Sequence, residues 1–213
     1  MKTARMQKGT MQNGTKALIL IGLIVFIDQI SKLWVKTHFS MGEEVNVIGN
    51  WFKIHFTENN GMAFGMEFGG DVGKVALSLF RIVAVTAIGW YIYKLVRAGE
   101  ESLGVILGVS AIFAGALGNI LDSLYYGVIF GESGWMQVAE LFPKDGGYAA
   151  PLFGRVVDML YFPVIEGIIP QWFPVWGGQE FLFFRPVFNI ADSAITIGVT
   201  YMIIFQREFF RKL

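Results

Sequence analysis

Four apolar runs constrain this chain more than any other feature. Each is close to the ~20 residues that a helix needs to cross a hydrocarbon core of ~30 Å. They lie at about 17–35, 75–96, 103–122 and 186–206 of the 213 residues. A soluble fold would have to bury all four, yet 54% of the chain is apolar, only 16% is charged and the mean hydropathy is +0.52. That balance points to a polytopic membrane protein. The expected fold is therefore all-α, a single domain over 1–213 built on four transmembrane helices.

Basic residues orient these spans. Lys2, Arg5, Lys8 and Lys16 precede the first span, Lys94 and Arg97 lie between the second and third, and Arg207, Arg211 and Lys212 follow the fourth. Both termini and the short middle loop are thus expected in the cytoplasm. The longer segments, about 36–74 and 123–185, are expected outside. The first span ends in "DQISK" with no small-residue cleavage site, so it reads as a retained anchor. Apolar and polar residues alternate around Trp51–Thr57 before a Gly-containing turn, which predicts a small extracytoplasmic β element between the first two spans. The segment between the last two spans is rich in Gly, Pro and Trp and is expected to be extended, with aromatics suited to the headgroup level.

Composition closes several routes to function. Zero net charge and scattered basic residues give no case for a nucleic-acid partner. With no cysteine there is no thiol nucleophile or thiolate metal site. Two histidines, His38 and His55, and no H-E-x-x-H make a zinc hydrolase a poor fit. No metal and no cofactor is expected.

Acids inside or beside apolar runs are the chemical signal, because an ionisable group in a membrane span is a functional-site hypothesis by default. At ~1.5 Å per helical residue, Asp122 lies about 28 Å from the inner end of the third span and Asp192 about 9 Å below the outer end of the fourth. Asp28 and Lys32 sit in the outer half of the first span, and Asp158 belongs to the second outer segment. All converge near the outer boundary. Two carboxyl groups sharing a low-dielectric site cannot both ionise easily, so the pair holds one proton and can act as acid and base near neutral pH. Physical reasoning selects Asp192 and leaves Asp28, Asp122 and Asp158 open as its partner.

Five motifs in order resemble the bacterial lipoprotein signal peptidases, or signal peptidase II: "DQISK" at Asp28–Lys32, "NNGMAFG" at Asn59–Gly65, "GALGNILDS" at Gly115–Ser123, "GRVVDML" at Gly154–Leu160 and "FNIADSAI" at Phe188–Ile195. The resemblance covers most of the chain. It implies that Asp158 and Asp192 are the catalytic pair of an aspartic endopeptidase. The substrates it implies are prolipoproteins, cut before a diacylglyceryl-modified cysteine at the outer face of the bacterial inner membrane. Asn59, Gly61, Asn119 and Asn189 match positions that line the site in that family. A monomer in contact with membrane lipid is expected.

Met62 and Ser123 depart from the family pattern. Ser123 stands where an arginine normally follows the third-span acid, and Arg155 is the expected substitute. Segments of about 129–153 and 163–184 read as insertions, expected to form an aromatic outer platform that helps hold substrate at the membrane surface.

Plainer readings stand beside these. Asp28 and Lys32, one helical turn apart, could simply neutralise each other. Asp122 could cap its span, Arg81 could reach the headgroups, and Gly104, Gly108, Gly115 and Gly118 could be close-packing positions. A proton-coupled transporter and a noncatalytic scaffold are the competing functions. A Ser31–Lys32 dyad is disfavoured, because adjacent helical residues point ~100° apart.

Overall fold

The computed structural model describes residues 2–60, 70–163, 165–183 and 186–211. Three helices are long and apolar enough to cross a membrane, over Met11–His38, Val72–Ala98 and Leu103–Ile129. They belong to α1 (Lys2–His38), α2 (Gly70–Ala98) and α3 (Leu103–Leu121), the last continued by a π-helical turn, Asp122–Tyr126, and by α4 (Gly127–Ile129). Ser102 starts α3 by accepting the Val105 backbone N–H at 3.2 Å, which satisfies one of the donors that every helix N-terminus leaves open.

The last apolar run forms a shorter helix than the sequence led us to expect. Helix α5 spans Ile190–Phe205 and is followed by α6, Arg207–Arg211. The run's first residues go elsewhere: Pro186 lacks an N–H, and Val187–Phe188 pair as a strand. At 16 residues α5 is about 24 Å long.

The β component is also larger than expected, and it unites the two outer segments. β1 (Glu44–Ile48), β2 (Phe52–Asn59), β3 (Val156–Tyr161) and β6 (Val187–Phe188) form one antiparallel sheet in the order β1-β2-β3-β6. A separate hairpin pairs β4 (Ile165–Ile168) with β5 (Glu180–Phe183). Strand β3 is buried at every position from Val156 to Met159, as its place between β2 and β6 over the helix ends requires.

Two apolar cores result. One lies among the helices, where Ile92 and Leu95 of α2 meet Val105, Ile106 and Val109 of α3 and Met202 of α5. The other joins Val35 and Phe39 at the end of α1 to Phe56, Val157 and Met159 of the sheet and to Tyr126 and Phe130. α3 is central, packing on α1, α2 and α5. Its glycines permit this: a Cβ on Gly118 would stand 2.6 Å from Asp28 Oδ2, well inside contact distance. Outward faces of α1, α2 and α5 carry exposed apolar side chains such as Phe26, Phe80 and Ile197, suited to acyl chains.

Candidate active site

Between the two cores, the helices carry a fully buried ionic cluster. Asp28, Lys32 and Asp122 each have 0% exposure. Asp28 and Lys32 share a face of α1 because they are four residues apart, and Asp122 reaches them from the end of α3. Lys32 Nζ donates to Asp28 Oδ2 at 2.9 Å, to Asp122 Oδ2 at 2.7 Å and to Asn119 Oδ1 at 2.8 Å. An ammonium has three donors, so all are used. Gln29 Nε2 supports the same acids, donating to Asp122 Oδ1 at 2.9 Å and to Asp28 Oδ2 at 3.1 Å. Mutual neutralisation of Asp28 and Lys32 is thus observed, with Asp122 as a third member.

The cluster also fixes the start of α5. Asp28 Oδ1 accepts the Ala191 backbone N–H at 2.8 Å, and Asn189 Oδ1 accepts that of Asp192 at 2.8 Å. Asn189 is therefore the N-cap, and Asp192 stands in the first turn, where the positive end of the helix dipole favours a carboxylate. The sequence expectation placed Asp192 about 9 Å below the outer end of a span counted from Pro186, whereas α5 starts at Ile190, behind β6.

Asp158 arrives from β3. It is buried, lies opposite Thr57 of β2 in the sheet register, and accepts hydrogen bonds on both oxygens. Asn189 Nδ2 donates to its Oδ1 at 2.7 Å, and Asn59 Nδ2 donates to its Oδ2. Burial, reinforced by the charge of Asp192, pushes the Asp158 carboxyl up to about 7; the donors Asn189 and Asn59 and the charge of Lys32 oppose that rise. Asp192 is half-buried, and its Oδ1 accepts from Asn119 Nδ2 at 2.8 Å. Asn189 Nδ2 also reaches Asn119 Oδ1 at 3.2 Å. A continuous chain of amides, Asn189 to Asn119, thereby joins the two acids.

The approach of β3 to the helix end depends on Gly154. Its N–H donates to Ser123 O at 3.0 Å, and a Cβ there would lie 2.1 Å from Asp122 O. Asp122 Oδ2 in turn accepts the Val157 backbone N–H at 3.4 Å. Interrupting α3 by a π-helical turn at this point is common near functional sites.

Not every expected residue joins the acids. Arg155 points to Glu132 (2.6 Å) and Glu58 (3.4 Å), with its guanidinium over the Tyr148 ring at 5.0 Å. Arg81 of α2 is half-buried and lies within electrostatic reach of Asp192, Asp122 and Asp158. Gly61 and Met62 lie outside the described residues.

Sequence reasoning also missed Lys36, which has 0% exposure beyond the expected end of the first span. Its ammonium pairs with Glu58, donates to Ser133 Oγ at 2.9 Å and lies 5.1 Å from the Phe130 ring centre and 5.0 Å from that of Tyr148. Glu58 directly precedes Asn59, so this second ionic cluster anchors the strand that contacts Asp158. Among the described residues, no buried side-chain nitrogen or oxygen lacks a hydrogen-bond partner, and no group of three or more acids or histidines could hold a metal ion.

Membrane-length apolar helices that meet a small sheet at a buried group of acids define a multi-pass membrane protein. A family profile described as signal peptidase (SPase) II matches residues 20–207. The chain belongs to that family of proteases. A lipoprotein signal peptidase of Porphyromonas gingivalis is 51% identical over 191 residues, covering 90% of this chain and 82% of its own length. Another, of Amoebophilus asiaticus, is 38% identical over 190 residues, covering 87% of this chain and 75% of its own. A solved structure described as a bacterial membrane enzyme aligns with a TM-score of 0.58 at 25% identity, covering 89% of this chain and 91% of that one. Membership in a protease family decides against the transporter and scaffold readings.

Proposed function

We infer that Asp158 and Asp192 form the catalytic pair of a membrane-embedded aspartic endopeptidase that removes the signal peptide from prolipoproteins, cutting before the diacylglyceryl-modified cysteine. The observation that carries this reading is the joint grip of Asn189, which holds the Asp158 carboxyl through its side-chain amide and the backbone of Asp192 through its oxygen. Asp158, pushed up to about 7, is the member that retains a proton near neutral pH. It donates to the scissile carbonyl oxygen while ionised Asp192 takes a proton from water, whose oxygen attacks the carbonyl carbon. The tetrahedral intermediate then collapses as the departing amine receives a proton from the pair. Amides from Asn59, Asn119 and Asn189 fix both carboxyl groups beforehand, so little reorganisation accompanies the reaction.

Four crossings with both termini in the cytoplasm suit the distribution of Lys and Arg, α5 and its flanking residues forming the fourth. The site then faces outward across the inner membrane. Action as a monomer next to lipid belongs to the same reading. A gel-shift assay with purified diacylglyceryl-modified prolipoprotein tests the reading: Asp158→Asn and Asp192→Asn each abolish cleavage. Retention of substantial cleavage by either variant overturns the pair.

A further inference from the structure

We propose that the tip of the β4–β5 hairpin, residues 167–179, inserts into the outer leaflet of the bilayer, so that its partner is membrane lipid. No residue from 167 to 179 is charged, and the tip carries Trp172, Phe173 and Trp176 between Pro170, Pro174 and Gly177. Trp172 is 79% exposed, Val175 84% and Trp176 54%. Exposed apolar surface of this density marks a place where something other than water is met.

Three observations favour lipid over a protein partner. First, the rings support one another: Phe173 stacks with Trp176 at 6.2 Å and packs on Trp172 at 5.9 Å. They form a wedge, uncharged from 167 to 179 and bounded in sequence by Glu166 and Glu180, and amphipathic aromatic rings favour the headgroup level. Second, the tip satisfies much of its own backbone. Ile169 donates to Gln179 O, Gly178 to Ile169 O, Phe173 to Pro170 O, Gly177 to Phe173 O and Gln179 to Trp176 O, all at 2.8–3.1 Å. Pro170 and Pro174 have no N–H to satisfy. Irregular backbone tolerates a poorly hydrated environment only when its polar groups are paired in this way. Third, the chain enters the hairpin from a second aromatic group on the sheet, where Phe162 stacks on Phe52 at 4.7 Å and on Phe188 at 5.8 Å and lies 6.0 Å from the half-exposed Trp51.

The inference depends on the helices lying in a membrane and not on the acid pair. Because the chain has no cysteine, a single Val175→Cys change accepts one environment-sensitive fluorophore without other alteration, and Lys144→Cys provides an exposed comparison outside the hairpin. The full chain is placed in phosphatidylcholine nanodiscs, some containing phosphatidylcholine with a doxyl quencher near the headgroup end of its acyl chain. The label at 175 should lose most of its emission to the doxyl lipid and resist aqueous iodide, with the reverse at 144. Iodide quenching at 175 equal to that at 144 overturns the proposal. So does lipid quenching that arises only after a lipidated substrate peptide is added, which would make the tip a substrate contact. The same label in an Asp158→Asn chain reads tip depth without turnover, so failure of the catalytic assignment leaves this measurement intact.

Discussion

Replacing Lys32 by methionine isolates what the buried ionic cluster contributes to the folded state. The substitution keeps a side chain of similar length and removes an ammonium that serves Asp28, Asp122 and Asn119 at 2.9, 2.7 and 2.8 Å. Removing one partner of a buried ion pair costs about 3–5 kcal/mol, chiefly because the remaining charge is stranded out of water. Here two fully buried carboxyl groups lose one shared cation, which places the cost at the upper end, about 5 kcal/mol. For a chain of this size each kcal/mol moves the unfolding midpoint by about 2–4 °C, so the midpoint falls by roughly 10–20 °C. Thermal unfolding in detergent, followed by tryptophan fluorescence, reads the shift. A triple variant with Lys32→Met, Asp28→Asn and Asp122→Asn separates the causes. If stranded charge dominates, the triple variant recovers most of the loss; if lost attraction dominates, it is no better than the single change. A Lys32→Met chain that unfolds with the unaltered protein would refute the argument.

Two further outcomes follow from the same geometry. Protonated Asp158 is the acid in the proposed reaction and its carboxyl sits at about 7, so kcat/KM should decline as pH rises through that region. Asn59 donates to the ionised form and holds the value down, so Asn59→Ala should move the declining limb to higher pH; a shift to lower pH, or none, contradicts the assignment. The outer ion cluster should be unequal in its parts. Lys36→Met, at a fully buried pair, should destabilise by about 3–5 kcal/mol, whereas Arg155→Ala, whose nearest acid Glu132 is exposed, should cost less than about 1 kcal/mol. Chemical denaturation of both variants provides the comparison, and equal losses would contradict it.

Local patterns made parts of the molecule legible before its folding was known. The spacing of Asp28 and Lys32 gave away their ion pair, because four residues make one helical turn. Alternation around Trp51–Thr57 marked a strand where β2 lies, although the burial of β2 does not itself alternate. Non-local partners stayed hidden. β3 pairs with β2 across about a hundred residues of chain, and nothing in "GRVVDML" shows that Asp158 would leave a surface loop for the middle of a sheet. Likewise Lys36 stands just past an apolar run, where a charge is ordinarily solvated; Glu58, Ser133, Phe130 and Tyr148, from distant segments, explain its burial. Arg155 lay near Asp158 in sequence, but it precedes β3, and its side chain went to Glu58 and Glu132.

The single-residue joint between β6 and α5 carries an implication for how such a site can change over time. Asn189 caps the helix, grips one acid from the sheet and touches the amide that grips the other. Any drift of the sheet over the helices, as new loop insertions would impose, would therefore strain this side chain together with the Asp122–Val157 and Gly154–Ser123 hydrogen bonds. Surface elaboration can grow outward from the strands with these ties left in place.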